Sequence, residues 1–344
     1  MSSGPTIDVV VPAFNEADHI EDCLDHVFAQ DYPAELVRIW VVDAGSSDAT
    51  AAIVAARAER EPRLRLVGDG ERLNAGQAVN LGAGAGEGEL IARVDAHTSI
   101  ATDYLRRAAE AFAAEPEVAC VGGQPKQVGR TPFGRAVAVA RGSKLGVGGS
   151  IYADRRERAF VYTVQAGVYR RAAFESLGGF DPDIPYGEDE ELNWRLRDGG
   201  GLILLDTRLR FEYVTRSSWK ALFRQYRNYG ESRVRVVVAH REFLQPYHLA
   251  PAALLLAFAG LAAAAPACRP ARRGLAGLTL LYSGALLAGG AQASDGSESA
   301  PAPRVAAAIA AMHLGYGAGM LEGAANELRA RARLGAPAPS VRPR

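Results

Sequence analysis

Cysteine is scarce and dispersed. Cys23, Cys120 and Cys268 are the only three, with no CxxC pair and no Cys/His cluster, which argues against a disulfide framework or a structural zinc site. Reduced thiols of this kind fit a cytoplasmic folding compartment. Net charge is missing as well: 39 Lys and Arg balance 39 Asp and Glu, so nothing in bulk electrostatics favours a nucleic-acid partner. The opening stretch MSSGPTIDVVVP lacks the basic segment and long apolar run expected of a signal peptide. A dinucleotide fingerprint is also absent. Gly82-Ala83-Gly84-Ala85-Gly86-Glu87-Gly88 offers no GxGxxG register, because Glu87 or Glu89 stands where the third glycine belongs, and the run precedes a strand-like segment instead of following one. It reads as a helix C-terminus and turn, which argues against a Rossmann oxidoreductase.

What is present is a chain of 344 residues, 48% hydrophobic and 23% charged, a composition that folds. Its character changes near Pro246. Before that point strand-like runs, IDVVVP (7–12), VRIWVVD (37–43), LRLVG (64–68) and LIARVD (90–95), alternate with helical patterns, the signature of an α/β domain with a largely parallel sheet. After it come apolar stretches at about 249–268, 274–291 and 305–321, each near the length that crosses a hydrocarbon core, with buried core helices as the ordinary alternative. Between the two lies SSWKALFRQYRNYGESRVRVVVAHREF (217–243), where Lys220, Arg224, Arg227, Arg233, Arg235 and Arg241 interleave with Trp219, Phe223, Tyr226 and Tyr229, as in helices on an anionic membrane surface. The expected organisation is an α/β domain over 1–216, an amphipathic interfacial region over 217–245, membrane segments over 246–324 and a basic, disordered tail over 325–344. Three crossings would place Arg269, Arg272, Arg273 and the tail arginines outside, against the positive-inside tendency. A path with the first segment interfacial and the other two crossing avoids this and exposes only the loop 292–303.

Ligands of such sheets bind at the carboxyl ends of the strands, so strand-end residues carry the functional reading. The first strand runs into Pro12-Ala13-Phe14-Asn15-Glu16, the second into Asp43-Ala44-Gly45-Ser46-Ser47-Asp48, the fourth into Asp95-Ala96-His97. For Asn15, Ser47 and Asp48 the ordinary alternative is capping of free helix N–H groups, and for Asp48 it is the better reading. Asp43 and Asp95 differ: a carboxylate ending a hydrophobic strand is costly unless it meets a cation, a donor or solvent. Further on, YGEDEELNWRL gathers Glu188, Asp189, Glu190 and Glu191; a run of acids at a helix start is ordinarily a solvated turn favoured by the macrodipole, which accounts for Glu190.

The ordered segments VVVPAFNEADHIEDCL, VVDAGSSDAT, RLNAGQAVNLGAGAGEGELIARVDAH, VQAGVYRRAAFESLGGFDPD and GEDEELNWRLRDGG resemble the family 2 inverting glycosyltransferases, and within them the membrane-bound enzymes of succinoglycan-type exopolysaccharide synthesis. The similarity spans about Ile7 to Gly230. It implies a GT-A nucleotide-sugar-binding domain followed by membrane-associated helices. It also implies a donor pocket containing Pro12, Asn15, Glu16, Asp43, Arg72, Asn80 and Asp95. Asp95-x-His97 stands where the family holds a divalent metal, Mn²⁺ or Mg²⁺, on the donor diphosphate, and the imidazole suits Mn²⁺ better. Asp189 stands where the family has its general base. Glu188, with Gln225 and Arg227 of FRQYRNYG, stands near the family's acceptor channel; the imperfect match of that element implies transfer of a single sugar. The function so implied is transfer of a hexose, from UDP-hexose in the first instance, to a lipid-linked saccharide at the cytoplasmic face of the cell membrane. A polyprenyl-phosphate glycosyltransferase and a non-catalytic nucleotide-binding scaffold are the alternatives.

Overall fold

β1 (Ile7–Ala13) is buried on both faces, as an uninterrupted valine run requires of a central strand. It pairs in parallel with β2 (Val37–Asp43) on one side and β4 (Leu90–Arg93) on the other, and β3 (Leu64–Val67) extends the sheet beyond β2. Side-chain alternation along β1 builds two cores. Val9 and Val11 pack with Ile20, Leu24 and Val27 of α1 (Ile20–Phe28) and with Leu105 and Phe112 of α4 (Tyr104–Ala114). Val10 points the other way, onto Val79 and Ala83 of α3 (Ala75–Gly84), near Phe174 and Phe180. With α2 (Thr50–Ala58) joining β2 to β3, the result is a sheet covered by helices on both faces.

The computed structural model describes residues 4–147, 157–240, 244–294 and 299–334. After β4 come β5 (Thr98–Ile100), β6 (Val118–Gly123), β7 (Pro125–Val128), α5 (Pro132–Arg141), α6 (Lys144–Val147), β8 (Arg158–Phe160), β9 (Gln165–Arg170), α7 (Arg171–Ser176), α8 (Glu188–Asp198), β10 (Leu202–Asp206) and β11 (Phe211–Val214). The main sheet has eight strands in the order β3-β2-β1-β4-β9-β6-β10-β8, with β9 and β8 antiparallel to their neighbours; β5, β11 and β7 form a second, three-stranded sheet. This is the mostly parallel α/β domain anticipated from the alternation. The strand order reverses at β1, so the ends of β1, β2 and β4 flank a topological switch point. One buried charge ties the outer shell to the sheet: Asp8 accepts from Arg171 Nη2 (2.6 Å), Trp40 Nε1 (2.9 Å) and the Gly88 backbone N–H (2.6 Å), so this carboxylate is fully paired. The glycine-rich turn after α3 exists for that contact, since a Cβ at Gly86 would collide with the carboxylate.

The chain divides into two units, residues 1–217 with 297–300, and residues 218–296 with 301–344. The second contains α9 (Trp219–Ala239), α10 (Pro246–Ala264), α11 (Arg269–Ser294) and α12 (Ala302–Leu334). The last three are long and apolar enough to cross a membrane. α10 and α11 leave almost all of that apolar surface uncovered, whereas more than half of the α12 span is buried. Gly315, Gly319 and Gly323 lie one turn apart on α12 and leave no room for a Cβ, because the backbone oxygens of Phe223, Arg227 and Glu231 on α9 press on them in the same order. The two helices therefore run in parallel at backbone contact, reinforced by Arg227 with Glu322 (2.5 Å) and Arg233 Nε with the Tyr316 hydroxyl (3.0 Å).

Two sequence expectations need correction. The tail is not irregular from residue 325: α12 continues to Leu334, because GAANELRARARL is a strong helix-forming run braced by the i,i+4 pair Glu327–Arg331 (2.8 Å). Residues 335–344 lie outside the described residues, as does Arg241. The loop 292–303 is not the isolated far-side connection: Ser299 accepts from Arg135 Nε (3.2 Å), Ala300 is 1% exposed, and both belong to the unit that contains the sheet.

Candidate active site

The loops after β1 and β2 are stitched together by the side chains of Asn15, Ser46, Ser47 and Asp48. Asn15 takes a left-handed conformation (φ 54), which asparagine tolerates, and its Oδ1 accepts from the backbone and hydroxyl of Ser47 while its own N–H donates to Ser46 Oγ (2.9 Å). Asp48 accepts from the Thr50 N–H (3.0 Å) at the start of α2 and from the Ala17 N–H (3.1 Å). Between these loops lies Asp43, 8% exposed, accepting only long bonds of 3.3 and 3.4 Å from the Ser46 N–H. Its carboxylate thus keeps acceptor capacity for a ligand. Gly45 (φ 79) makes the turn possible; a Cβ there would meet the Glu71 carbonyl. Arg72 donates to the Ala44 and Leu73 carbonyls and stacks on the Phe14 ring at 3.2 Å from its centroid, forming a cation–π lid over the Pro12–Glu16 segment.

Asp95 and His97 follow β4 in a turn leading into β5, which pairs with β11. His97 Nδ1 meets Glu16 Oε1 at 2.9 Å; that bond, helped by Asp95 and opposed by burial, lifts the imidazole above its ordinary pKa. Burial works against the Asp95 charge, but the Arg93 guanidinium and His97 overcome it and hold the carboxyl below the ordinary range. Among the described residues no three His, Cys, Asp or Glu side chains form a closed metal cage. Asp95 and His97, each with one polar atom engaged and a second remaining, instead fit an ion that brings phosphate oxygens as its other ligands.

The acidic cluster on α8 is not a solvated helix start. Glu188 and Glu191 are buried, Glu188 paired with Arg93 Nη1 (2.8 Å) and Glu191 bidentate to Arg195 (2.6 Å). Asp189, between them, has its pKa pushed up to about 7, first by burial, then by the negative charge of Glu188, with Arg93 pulling the other way. Such a carboxyl can hold or release a proton near neutrality, as a general base requires.

Two assignments fare differently. Asn80 donates to the Phe180 carbonyl and accepts from its N–H (both 2.8 Å), so it braces the segment leading to α8, with one N–H and one lone pair left over. Gln225 and Arg227 lie on α9; Gln225 donates to the Tyr229 hydroxyl and Arg227 pairs with Glu322. Arg93, which joins Asp95 to Glu188, was missed in the sequence. Its signal was a lone cation closing an apolar strand two residues before Asp95.

A sheet of this topology with carboxylates at its switch point defines a GT-A-type glycosyltransferase. The same fold occurs in the mannosyltransferase PcManGT from Pyrobaculum calidifontis in complex with GDP-Man and Mn²⁺ (TM-score 0.64, 24% identity, covering 95% of this chain and 89% of that one). It occurs too in S. aureus TarS 1-349 in complex with UDP (TM-score 0.51, 17% identity, 96% and 92%). The chain belongs to glycosyl transferase family 2, whose domain matches residues 8–178. It is 31% identical over 327 residues to the succinoglycan biosynthesis protein ExoA of Rhizobium meliloti (strain 1021), covering 90% of this chain and 92% of that protein. It is also 28% identical over 233 residues to the dolichyl N-acetyl-alpha-D-glucosaminyl phosphate 3-beta-D-2,3-diacetamido-2,3-dideoxy-beta-D-glucuronosyltransferase of Methanococcus voltae, covering 66% and 72%.

Proposed function

We propose that this glycosyltransferase moves a hexose from a nucleotide sugar, UDP-hexose in the first instance, to a lipid-linked saccharide at the cytoplasmic face of the cell membrane, in exopolysaccharide or cell-surface glycan synthesis. The observation that carries the reading is Asp189, a carboxyl with a raised pKa at the first turn of α8. It takes the proton from the acceptor hydroxyl as that oxygen attacks the anomeric carbon, opposite the departing nucleoside diphosphate, so the configuration inverts. Asp43 accepts from the nucleobase, and Asn15 and Glu16 fix the loops around it. Asp95 and His97 would hold Mn²⁺ or Mg²⁺, which when bound neutralises the diphosphate as it leaves. The succinoglycan relative supports the pathway class, the relative named for a dolichyl-linked phosphate supports the lipid-linked acceptor, and the neighbour with Mn²⁺ supports the metal. The apolar helices α10 and α11 supply a reason for the acceptor to be membrane-borne.

The test is a panel of nucleotide sugars offered to membranes containing the full chain, reading nucleoside diphosphate release and the anomeric configuration of the lipid-extracted product. Release with one donor and an inverted linkage on a saccharide is expected. A sugar attached directly to polyprenyl phosphate would replace the acceptor assignment, and no release with any donor would leave only a binding scaffold.

A further inference from the structure

Arg93 closes β4, a strand otherwise made of buried apolar residues, and its side chain is only 11% exposed. A buried cation is tolerated when its hydrogen-bonding capacity is met by partners of opposite charge. Here one guanidinium serves two carboxylates that are far apart in sequence: Nε donates to Asp95 Oδ1 and Nη1 to Glu188 Oε1, each at 2.8 Å. The first partner lies on the donor side, the second opens the helix that carries Asp189. That helix start has no side-chain cap of its own: its N-cap is Gly187, left-handed at φ 73. The Phe180 ring lies 5.7 Å from the guanidinium carbon, and Gly76 of α3 fits closely against Phe180 Cβ and Glu188 Cγ. Arg93 thus adds a charged tie to this packing.

We propose that Arg93 is a positioning residue for sugar transfer: by gripping Asp95 and Glu188 together it sets the place of Asp189 relative to the donor site and offsets the charge of Glu188 beside it. This rests on Asp189 being the base. The charged and titratable groups facing Asp189 are Glu188 and Glu190 on its own helix, Arg93 on β4, Cys120 on β6 and Tyr169 on β9; of these only Arg93 is positive. Loss of Arg93 therefore raises the proton affinity of Asp189 while letting the first turn of α8 drift. Loss of Glu188 lowers that affinity.

The experiment compares Arg93→Gln, Arg93→Lys, Glu188→Gln and the double variant Arg93→Gln/Glu188→Gln in the full-length protein, reading kcat, donor KM and the acid limb of the kcat–pH profile. Arg93→Gln should lower kcat about tenfold or more, the scale of a misplaced catalytic group, with a much smaller change in donor KM. Its acid limb should move up by about one pH unit. Arg93→Lys should recover part of kcat and most of the pH shift. Glu188→Gln should move the limb down, and in the double variant the limb should return towards the parent. A limb that stays in place in Arg93→Gln, or a loss confined to donor KM, would overturn the proposal. If Arg93→Gln does not fold, Glu188→Gln and Arg93→Lys still read the same linkage, and an unmoved limb in Glu188→Gln overturns it equally. Asp189→Asn separates the two levels. Near-parent turnover in that variant defeats the base assignment itself, whereas an inactive Asp189→Asn beside an unaffected Arg93→Gln defeats only the role of Arg93.

Discussion

At Asp189, burial and the Glu188 charge push the same way, so the folded protein binds a proton there at pH values where the unfolded chain does not. Two outcomes follow from the sign. Turnover should rise with unit slope as pH approaches about 7 and level off above it. Folding stability, measured by thermal unfolding, should lose this contribution as pH climbs from the ordinary carboxylate range through about 7, because ionising the buried group costs free energy. Asp189→Asn should abolish that loss while reducing turnover by roughly a hundred- to ten-thousandfold; a variant that keeps parent turnover excludes the role. At His97, chelation by EDTA should stop the reaction, and His97→Asp should keep activity while shifting preference from Mn²⁺ towards Mg²⁺, since a carboxylate suits the harder ion. A rate indifferent to EDTA removes the metal from this site. Asp43 and Asp95 stood out in sequence because a carboxylate ends an apolar strand at each, whereas His97 and Asp189 were singled out only by the resemblance of their motifs. The bracing of Phe180 by Asn80 and the pairing of Arg93 with Glu188 were not legible for one reason: these partners are 100 and 95 residues apart, and no local pattern records such a contact.

Strands β1, β2, β3 and β4 begin where the apolar runs begin, since parallel strands covered on both faces leave a continuous hydrophobic signal. The position of β9, antiparallel between β4 and β6, had no such signal: it depends on a crossover through most of the domain. For α9 the alternation of basic and aromatic residues was visible, but the side facing α12 was not, because glycine leaves no mark in a hydrophobicity pattern. That interface makes a contrast between glycines. A methyl at Gly319 would strike the Arg227 carbonyl, while one at Gly284 on α11 meets nothing within 4 Å. Gly319→Ala should destabilise the helical unit by about 1–3 kcal/mol, as overpacking does, and Gly284→Ala should not. Thermal inactivation of the detergent-solubilised protein measures the difference, and equal midpoints for the two variants would mean that α9 and α12 do not meet at backbone distance.

Whole-molecule topology follows from which helices lack a protein partner. α10 and α11 are apolar on nearly all sides and expose Leu256, Leu280 and Leu281 at 58%, 75% and 73%, which water does not favour and lipid does. α12 has more than half of its apolar span covered, and alongside it runs α9 with Lys220, Arg224, Arg227 and Arg233, charges that resist entry into a hydrocarbon core. Ser299 and Ala300, between α11 and α12, belong to the unit with the main sheet. If α10 and α11 do enter a membrane, an even number of crossings is expected between that unit and the α11–α12 connection. A hairpin would satisfy all three constraints and is the expected topology: α10, about 28 Å long for its 19 residues, would go out and α11 return. Its cost is that Arg269, Arg272 and Arg273 sit at the outer turn, against the positive-inside tendency, whereas Arg329, Arg331 and Arg333 stay inside with it. The protein carries its own probe, because Cys23 and Cys120 are buried in the catalytic unit and Cys268 lies in the turn between α10 and α11. With the catalytic unit cytoplasmic, an impermeant maleimide added to intact cells should label the parent protein at Cys268, and should label no further site in Ser299→Cys until the membrane is opened. Protection of Cys268 in intact cells would show that the hairpin dips into the bilayer without crossing it; labelling of Ser299→Cys from outside would restore crossings by α11 and α12.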